Sequence, residues 1–314
     1  MRNRIVFSAL LALACGGRTA VESERTPSIQ ESGGSGGGPS YTLDWSEIVW
    51  DGTFAEAVPY LWTGSANNTW VVVTDSVGAF HREHWDGTGW TRTVLDTAPN
   101  APFDESQIWA PDDHFAYGGS SKVLQRWSGG FWQAWPGTPS CHVVGGLAID
   151  QLWCATETEL WQLVGSTWTR ESMAGIHGIL ALARDDVWVW GEPGASHFNG
   201  ASWTLEVANL VKRVSASGPN DVWVVQDGNL LHSNGPGTPW TRQNPTGGQI
   251  ASVWSQSPTN TWVVAAGAAM RWNGATWDLM PLPMQDERLL VSGSSEDIWI
   301  AGTLSLIHGH PVRR

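Results

Sequence analysis

The feature that most constrains this chain is a repeat of roughly 40 residues that occurs seven times. One unit runs Gly218-Pro219-Asn220-Asp221-Val222-Trp223-Val224-Val225, then Leu230-Leu231-His232-Ser233-Asn234-Gly235, then Trp240-Thr241-Arg242. Aligned on their first aromatic residue, the units are marked by Trp70, Phe115, Trp153, Trp188, Trp223, Trp262 and Trp299, with spacings of 45, 38, 35, 35, 39 and 37 residues. Self-similarity at this period is typical of repeat architectures that stack identical structural units.

Each unit contains four short strand patterns separated by turn residues. The second is an apolar run such as Val222 to Val225, and the third ends at an Asn-Gly or Asp-Gly pair. Such a pair predicts a tight hairpin, because both residues tolerate positive φ. The pairs are Asp86-Gly87, Asn199-Gly200, Asn234-Gly235 and Asn273-Gly274. With 36 Gly and 23 Trp, the composition excludes a coiled coil and indicates an all-β chain. Four strands in roughly 40 residues make a propeller blade.

The two ends of the repeat region complement each other. The seventh unit, around Trp299, shows only three strand patterns, while the segment Leu43 to Val49 resembles a fourth strand without a unit of its own. We therefore expect residues 41 to 50 to complete the seventh blade, which closes the ring and covers an exposed edge. The predicted fold class is all-β: a seven-bladed β-propeller of four-stranded antiparallel blades over residues 41 to 314, closed by the N-terminal strand.

The N-terminal segment has the features of an export signal. Arg2 and Arg4 precede an apolar run from Ile5 to Ala14, too short to span a bilayer, and small Ala14 comes just before Cys15. This pattern predicts a signal peptide over residues 1–14 and lipid attachment at Cys15. The alternative is an ordinary signal peptide cleaved nearby, with Cys15 incidental. Residues 15–40 would form the anchor and a flexible Gly/Ser-rich tether.

The other two cysteines are Cys141 and Cys154. In an exported protein they can form a disulfide, and the alternative is a pair of buried free thiols. The expected location is that of a bacterial membrane-anchored lipoprotein, periplasmic or at the cell surface, which contacts the membrane only through its lipid.

The motifs Asp-Val-Trp-Val-Val at 221–225 and Asn-Gly-Ala-Thr-Trp at 273–277 resemble the Asp-box (BNR-like) and tectonin-like propeller families. They are also similar to the Trp-rich predicted lipoproteins of predatory soil bacteria. The resemblance covers nearly all of residues 41 to 314 and implies the propeller fold. It implies no activity, because Asp-box blades occur both in sialidases and in proteins without catalysis.

A ladder of polar residues follows the repeat. Two residues before each second-strand aromatic stand Asn68, Asp113, Gln151, Asp186, Asp221, Asn260 and Asp297, and just before the hairpin stand His84, Arg126, Gln162, His197, His232, Arg271 and His308. Neighbouring antiparallel strands would bring each pair together. Asp186 with His197, Asp221 with His232 and Asp297 with His308 are predicted to form charge-assisted hydrogen bonds. Since catalytic residues do not recur with a scaffold, we interpret the pairs as structural braces rather than acid/base sites.

The sequence favours recognition over catalysis. Outside the Gly/Ser-rich tether it contains no Gly-x-Ser-x-Gly elbow, and it has no phosphate-binding loop or His-Glu-x-x-His motif and only two lysines, Lys122 and Lys212. We predict a non-enzymatic, monomeric cell-envelope module that binds a protein on its loop face. This is the end of the propeller formed by the loops between second and third strands and by the connections between blades. The alternative is a lectin-like propeller that stacks glycans on Trp45, Trp50, Trp85, Trp127 or Trp272, and an Asp-box-type glycoside hydrolase ranks third. No cofactor, metal site or nucleic-acid partner is expected, and His308-Gly309-His310 is taken as incidental.

Overall fold

A computed structural model of the chain contains only β-structure among the residues it describes, which are 21–23, 41–49, 54–75, 80–94, 107–112, 114–118, 124–128, 130–243, 245–284, 286, 288–295, 297–303 and 305–313. Within this part of the chain there is no helix long and apolar enough to cross a membrane. The expected signal peptide, Cys15 and most of the expected tether lie outside the described residues. The strands in chain order are β1 (Val21–Ser23), β2 (Tyr41–Val49), β3 (Phe54–Ser65), β4 (Asn68–Asp75), β5 (Phe80–Trp85), β6 (Trp90–Val94), β7 (Ile108–Trp109), β8 (Phe115–Gly118), β9 (Gln125–Ser128), β10 (Trp132–Ala134), β11 (Val143–Ala148), β12 (Gln151–Ala155), β13 (Glu159–Val164), β14 (Thr167–Ser172), β15 (Ile176–Ala183), β16 (Asp186–Gly191), β17 (Gly194–Phe198), β18 (Trp203–Ala208), β19 (Arg213–Gly218), β20 (Asp221–Gln226), β21 (Asn229–Ser233), β22 (Thr241–Gln243), β23 (Ile250–Ser257), β24 (Asn260–Ala265), β25 (Ala268–Trp272), β26 (Trp277–Pro281), β27 (Leu290–Gly293), β28 (Ile298–Ala301) and β29 (Leu306–Arg313).

These strands form seven antiparallel sheets, which confirms the predicted seven-bladed propeller. Blades one to six are β3–β6, β7–β10, β11–β14, β15–β18, β19–β22 and β23–β26, and blade seven has the order β27-β28-β29-β2-β1. The first strands of neighbouring blades contact one another all the way round, including β27 with β3. The first strands therefore line the central channel, and the outer strands face solvent.

The N-terminal strand closes the ring as predicted. β2 pairs antiparallel with β29, and Trp45 lies opposite Gly309 in the register. The Trp45 ring covers this glycine so closely that a Cβ there would be 2.6 Å from Trp45 Cζ3. β1 adds a feature that the sequence did not indicate: Val21–Ser23, within the expected tether, pairs with the outer edge of β2. Blade seven therefore has five strands instead of four.

Aromatic residues fill the wedges between blades. Seven hydrophobic clusters lie in the described chain, one between each pair of neighbouring blades. Each second strand contributes one almost fully buried aromatic, namely Trp70, Tyr117, Trp153, Trp188, Trp223, Trp262 and Trp299. Large flat side chains suit these spaces, because interiors are packed as densely as organic crystals.

Blade two departs from the sequence-based alignment, which assigned its marker aromatic to Phe115. Tyr117 is the residue that lies opposite Arg126, as Trp223 lies opposite His232 in blade five. Phe115 pairs with Ser128 and is only half-buried. The alignment was two residues out because the aromatic alternation Phe115-Ala116-Tyr117 offers two candidates on the same strand face.

The hairpins also form differently from the prediction. Gly87, Gly200 and Gly274 have positive φ, but Asp86, Asn199 and Asn273 do not. Instead, Oδ1 of each of these Asp or Asn residues accepts hydrogen bonds from the backbone N–H groups two and three residues later. The Asx side chain thus caps a four-residue loop that ends just before the fourth-strand Trp. The tight two-residue turn was the wrong interpretation of a correct turn signal.

Candidate functional site

The propeller has two ends with different properties. Because the strands of a blade alternate in direction, the turns between first and second strands lie at the same end as the hairpins between third and fourth strands. At the opposite end lie the loops between second and third strands and the connections between blades. We call this opposite end the loop face.

The brace residues lie at the hairpin end, and three pairs have nearly identical geometry. His Nε2 is 2.9 Å from the carboxylate Oδ1 in Asp186–His197, Asp221–His232 and Asp297–His308. In blades five and seven the imidazole also stacks on the buried indole, with centroids 4.0 Å apart for Trp223–His232 and 3.7 Å for Trp299–His308. Each brace therefore fixes the orientation of the aromatic ring that fills the wedge.

The remaining blades use other polar groups at the same position. In blade one His84 Nε2 is 3.2 Å from Asn68 Oδ1, and in blade six Arg271 Nε donates to Asn260 Oδ1 at 2.7 Å. In blade three Gln151 accepts from Arg184 of the next blade. Asp113 of blade two lies outside the described residues. Repetition with such varied chemistry is consistent with a structural role for the ladder.

Asp221 shows how strongly a brace is held. Burial raises the pKa of its carboxyl, but hydrogen bonds from His232, Ser217, Ser255 and Trp223 outweigh burial and leave the pKa below its usual value. Ser255 belongs to blade six, so its hydroxyl, 3.0 Å from Asp221 Oδ2, links two blades.

The other predicted site residues are cysteines. Cys141 and Cys154 form a disulfide with a Cα–Cα distance of 5.7 Å, within the usual range. It joins the connection that enters blade three to the second strand of that blade. Both residues are fully buried in the cluster between blades two and three.

A group of polar residues that the sequence analysis did not single out lies in the central channel. Tyr60 of blade one and Arg213 of blade five are close enough for each to alter the pKa of the other. Since these blades are not neighbours, the two side chains interact across the channel. Tyr60 pairs with Val72 and Arg213 pairs with Val225, and each valine is two residues after the buried Trp of its strand. Tyr60 and Arg213 therefore lie at the same depth along the channel.

Two further residues place this group near the loop face. The Gln107 amide of blade two donates to the backbone carbonyl of His177 in blade four, past blade three. His177 Nε2 is 3.8 Å from Glu192, in the loop between the second and third strands of blade four. We call Tyr60, Gln107, His177 and Arg213 the channel cluster.

Arg213 differs from the other members of the channel cluster. Tyr60 donates to the Ile108 carbonyl at 2.8 Å, but no described residue forms a hydrogen bond or ion pair with the Arg213 guanidinium. Burial lowers the pKa of Arg213 below its usual value, and the nearby Tyr60 opposes this effect. A guanidinium retains its charge at neutral pH and presents five N–H donors in a planar fork that matches a carboxylate or phosphate.

The sequence carried one usable signal for this group. The positions equivalent to Arg213 in blades three, six and seven are Val143, Ser252 and Leu290, each opposite the residue two after the second-strand Trp. A cationic residue at an inner-strand position that is otherwise small or apolar is a departure from the repeat. Departures of this kind are candidates for function, because the scaffold does not require them.

Of the tryptophans proposed for glycan stacking, none that the structure describes is fully exposed. Trp45 is buried, which corrects the expectation that it is exposed, because it packs against the cluster between blades six and seven. Trp85, Trp127 and Trp272 are half-buried and pack against neighbouring clusters. Trp50 lies outside the described residues. The exposed large apolar side chains in the described chain are Phe131, Ile149, Val164, Leu205 and Leu279.

Comparison with known proteins supports the fold. No protein-family model and no curated protein sequence matches the chain. Solved structures do: RRP9 WD40 repeats have a TM-score of 0.62 at 10% identity, covering 87% of this chain and 100% of the other. YCF48 bound to D1 peptide has a TM-score of 0.61 at 14% identity, covering 85% and 96%. BBS1N in complex with ARL6DN has a TM-score of 0.58 at 13% identity, covering 83% and 94%. The chain is thus similar to propellers, including WD40 repeats, while membership of the Asp-box or tectonin-like families stays a prediction.

Proposed function

We propose that this chain is a non-enzymatic recognition module that binds a protein partner at its loop face and receives a carboxylate of that partner on Arg213. The observation that carries the proposal is the guanidinium of Arg213, which faces the channel without a hydrogen-bond or ion-pair partner among the described residues. A charge partly removed from water is costly unless it is paired. A carboxylate would pair with the Arg213 guanidinium through two parallel hydrogen bonds.

The surrounding charges specify the partner further. Exposed acids Glu157, Glu192 and Asp227 lie in three loops of the loop face, and the whole chain has a formal net charge of −13. An acidic rim around a cationic centre favours a basic segment that ends in, or presents, one carboxylate. Complementary charge at the rim accelerates association more than it strengthens the complex.

Catalysis is not favoured at this site. Burial raises the pKa of Tyr60 to about 12, with Arg213 and the Ile108 carbonyl contact opposing it, so the hydroxyl is neutral at physiological pH. A nucleophile needs a lowered pKa or an adjacent base. The glycoside hydrolase hypothesis therefore lacks an activated tyrosine among the described residues. The lectin hypothesis lacks an exposed tryptophan in the same part of the chain.

The location forms part of the proposal. We place the module in the cell envelope, anchored through lipid on Cys15. The Cys141–Cys154 disulfide supports export, because such bonds persist in oxidising compartments. Two of the similar structures, YCF48 bound to D1 peptide and BBS1N in complex with ARL6DN, are of propellers with a protein or peptide partner.

The test uses peptide libraries rich in Lys and Arg, displayed once with free C-terminal carboxylates and once amidated. Wild-type protein should enrich peptides whose binding falls roughly 10- to 100-fold in Arg213→Gln, the size expected for a charge-assisted hydrogen bond. Lys212→Gln, an exposed change at the next position, is the matched control and should bind within about twofold of wild type. If binding is lost when a peptide is amidated, Arg213 binds the C-terminal carboxylate of the peptide. If binding is retained, Arg213 binds an Asp or Glu side chain.

Two outcomes would overturn the proposal. One is equal binding of selected peptides by wild type and Arg213→Gln when both show the same melting temperature. The other is an absence of enriched peptides together with glycan binding that Arg213→Gln leaves unchanged, which would favour the lectin-like alternative.

A further inference from the structure

Three metal-ligating side chains meet in blade seven, at the end opposite the loop face. Asp297 Oδ1 is 2.9 Å from His308 Nε2 and 2.8 Å from His310 Nδ1. The ligating atoms of all three residues lie within 4.8 Å of one another. Asp297 and His308 are buried, while the His310 side chain is 53% exposed, so the group is open to solvent on one side.

This arrangement exceeds what the brace requires. In blades four and five one imidazole per carboxylate is enough, as Asp186–His197 and Asp221–His232 show. In blade seven a second imidazole contacts the same oxygen atom. A structural brace alone therefore does not account for His310.

The cause lies in the ring closure. In blade five the third strand stops at Ser233 and the chain turns into a hairpin, whereas β29 continues to Arg313 because it pairs with β2. Residues two apart on a strand point to the same face. His308 and His310 consequently project together towards Asp297, and the extension of β29 places His310 at the closing seam.

We propose that Asp297, His308 and His310 bind one divalent transition-metal ion, of which Zn²⁺ is the physiological candidate. Two imidazole nitrogens beside one carboxylate suit Zn²⁺, Cu²⁺ and Ni²⁺, whereas Mg²⁺ prefers ligation by oxygen atoms. Tetrahedral ligation at about 2.0–2.2 Å places ligating atoms roughly 3.3–3.6 Å apart. Each imidazole nitrogen must therefore move about half an ångström away from Asp297 Oδ1, and the two nitrogens, which lie within 4.8 Å of each other, must come to the same spacing. Solvent on the open side of His310 supplies the remaining coordination position.

Proton balance is simple at this site. The imidazole nitrogen that faces the Asp297 carboxylate carries a proton, because it donates the hydrogen bond. When that nitrogen binds the ion, a neutral ring moves this proton to its other nitrogen, so no net proton is released. An imidazolium ring releases one proton to water when it binds. The ion would connect the residue just before β28 to β29, the strand with which the closing strand β2 pairs.

The experiment titrates the full chain, without an affinity tag, with Zn²⁺ by calorimetry and with Co²⁺ by visible absorption, which detects tetrahedral nitrogen and oxygen ligation. We expect one ion per chain, a higher melting temperature with Zn²⁺, and no response to Mg²⁺. His310→Ala should weaken Zn²⁺ binding at least tenfold. His114→Ala, which removes an exposed histidine 4.0 Å from Asp112, is the matched control and should bind like wild type.

His310→Gln provides a second variant that keeps a polar side chain at the exposed position. Both His310 variants should melt near the wild-type temperature without metal, which separates loss of binding from loss of folding. Absence of Zn²⁺ binding by the wild type, or equal binding by wild type and both His310 variants, would overturn the proposal. Neither result bears on Arg213 and the loop face.

Discussion

At the scale of single residues, the braces are where charge and packing combine. The Asp221 carboxylate is almost completely buried and accepts hydrogen bonds from the His232 ring and the Trp223 indole. A buried charge is tolerated only when its hydrogen-bonding capacity is filled. The same carboxylate therefore orients the indole that fills the wedge and fixes the distance between blades five and six through Ser255.

Replacing Asp221 with Asn should lower the free energy of unfolding by about 1–3 kcal/mol near neutral pH, because the amide group cannot accept every donor that the carboxylate accepts. The folded-state pKa of Asp221 is lowered from 3.8, so its contribution is complete above that value and is lost as pH falls through the folded pKa. Denaturant unfolding from pH 7 to pH 2 should show the two proteins converging at low pH. Asp150→Asn, at an exposed position, should track wild type throughout, and a constant gap at every pH would contradict the assignment.

The sequence predicted the three Asp–His pairs, because an Asp and a His 11 residues apart on the two strands of an antiparallel hairpin lie close together. The same reasoning could not find Arg213 and Tyr60. They are 153 residues apart and influence each other only because the ring brings blades one and five to a common axis. The repeat determines the scaffold, and the channel cluster depends on departures from the repeat.

At the scale of elements, the Asx-Gly signal located the hairpins of blades one, four and six correctly and described them wrongly, while in blade five Asn234-Gly235 begins a longer loop between His232 and Thr241. Asp86 accepts from the backbone of Thr88 and Gly89, which makes a four-residue loop instead of a two-residue turn. Both conformations use Asx and Gly, so the dipeptide alone does not distinguish them. The Thr or Ser before the fourth-strand Trp, as in Ser202 and Thr276, fills the additional loop positions.

The Cys141–Cys154 disulfide is a covalent restraint on the chain that enters blade three. Cys141 and Cys154 are separated by 13 residues in the sequence, and a loop of this size implies stabilisation of about 3 kcal/mol, chiefly through the unfolded state. Wild-type protein should therefore lose about that much unfolding free energy when dithiothreitol is added. Cys141→Ala/Cys154→Ala should not respond to the reductant. A wild-type protein whose denaturation curve is unaffected by complete reduction, verified by thiol titration, would contradict the expectation.

At the scale of the whole molecule, the number of blades was predictable because the missing fourth strand of blade seven and the unassigned strand around Trp45 could only be matched to each other. β1 was not predictable, since Val21-Glu22-Ser23 carries no strand pattern beyond a single apolar residue. It pairs with β2 because an edge strand offers unpaired backbone groups to any extended segment within reach. The ring therefore closes through three strands, β29, β2 and β1, whose contributions should differ widely.

Two truncations separate those contributions. A chain that begins at residue 41 lacks β1 alone among the described strands, three residues at the edge, and should unfold at nearly the wild-type temperature. A chain that begins at residue 50 also lacks β2, and it loses the eight-residue pairing with β29 and the buried Trp45 side chain. Removing a buried Trp alone costs about 3–5 kcal/mol, against a typical total stability of about 5–15 kcal/mol. This second chain should aggregate through the bare edge of β29 or melt far below the first, as measured by calorimetry and light scattering. Equal melting temperatures and monomeric scattering for the two chains would mean that β2 contributes little to closure and that the apolar contacts between blades hold the ring together.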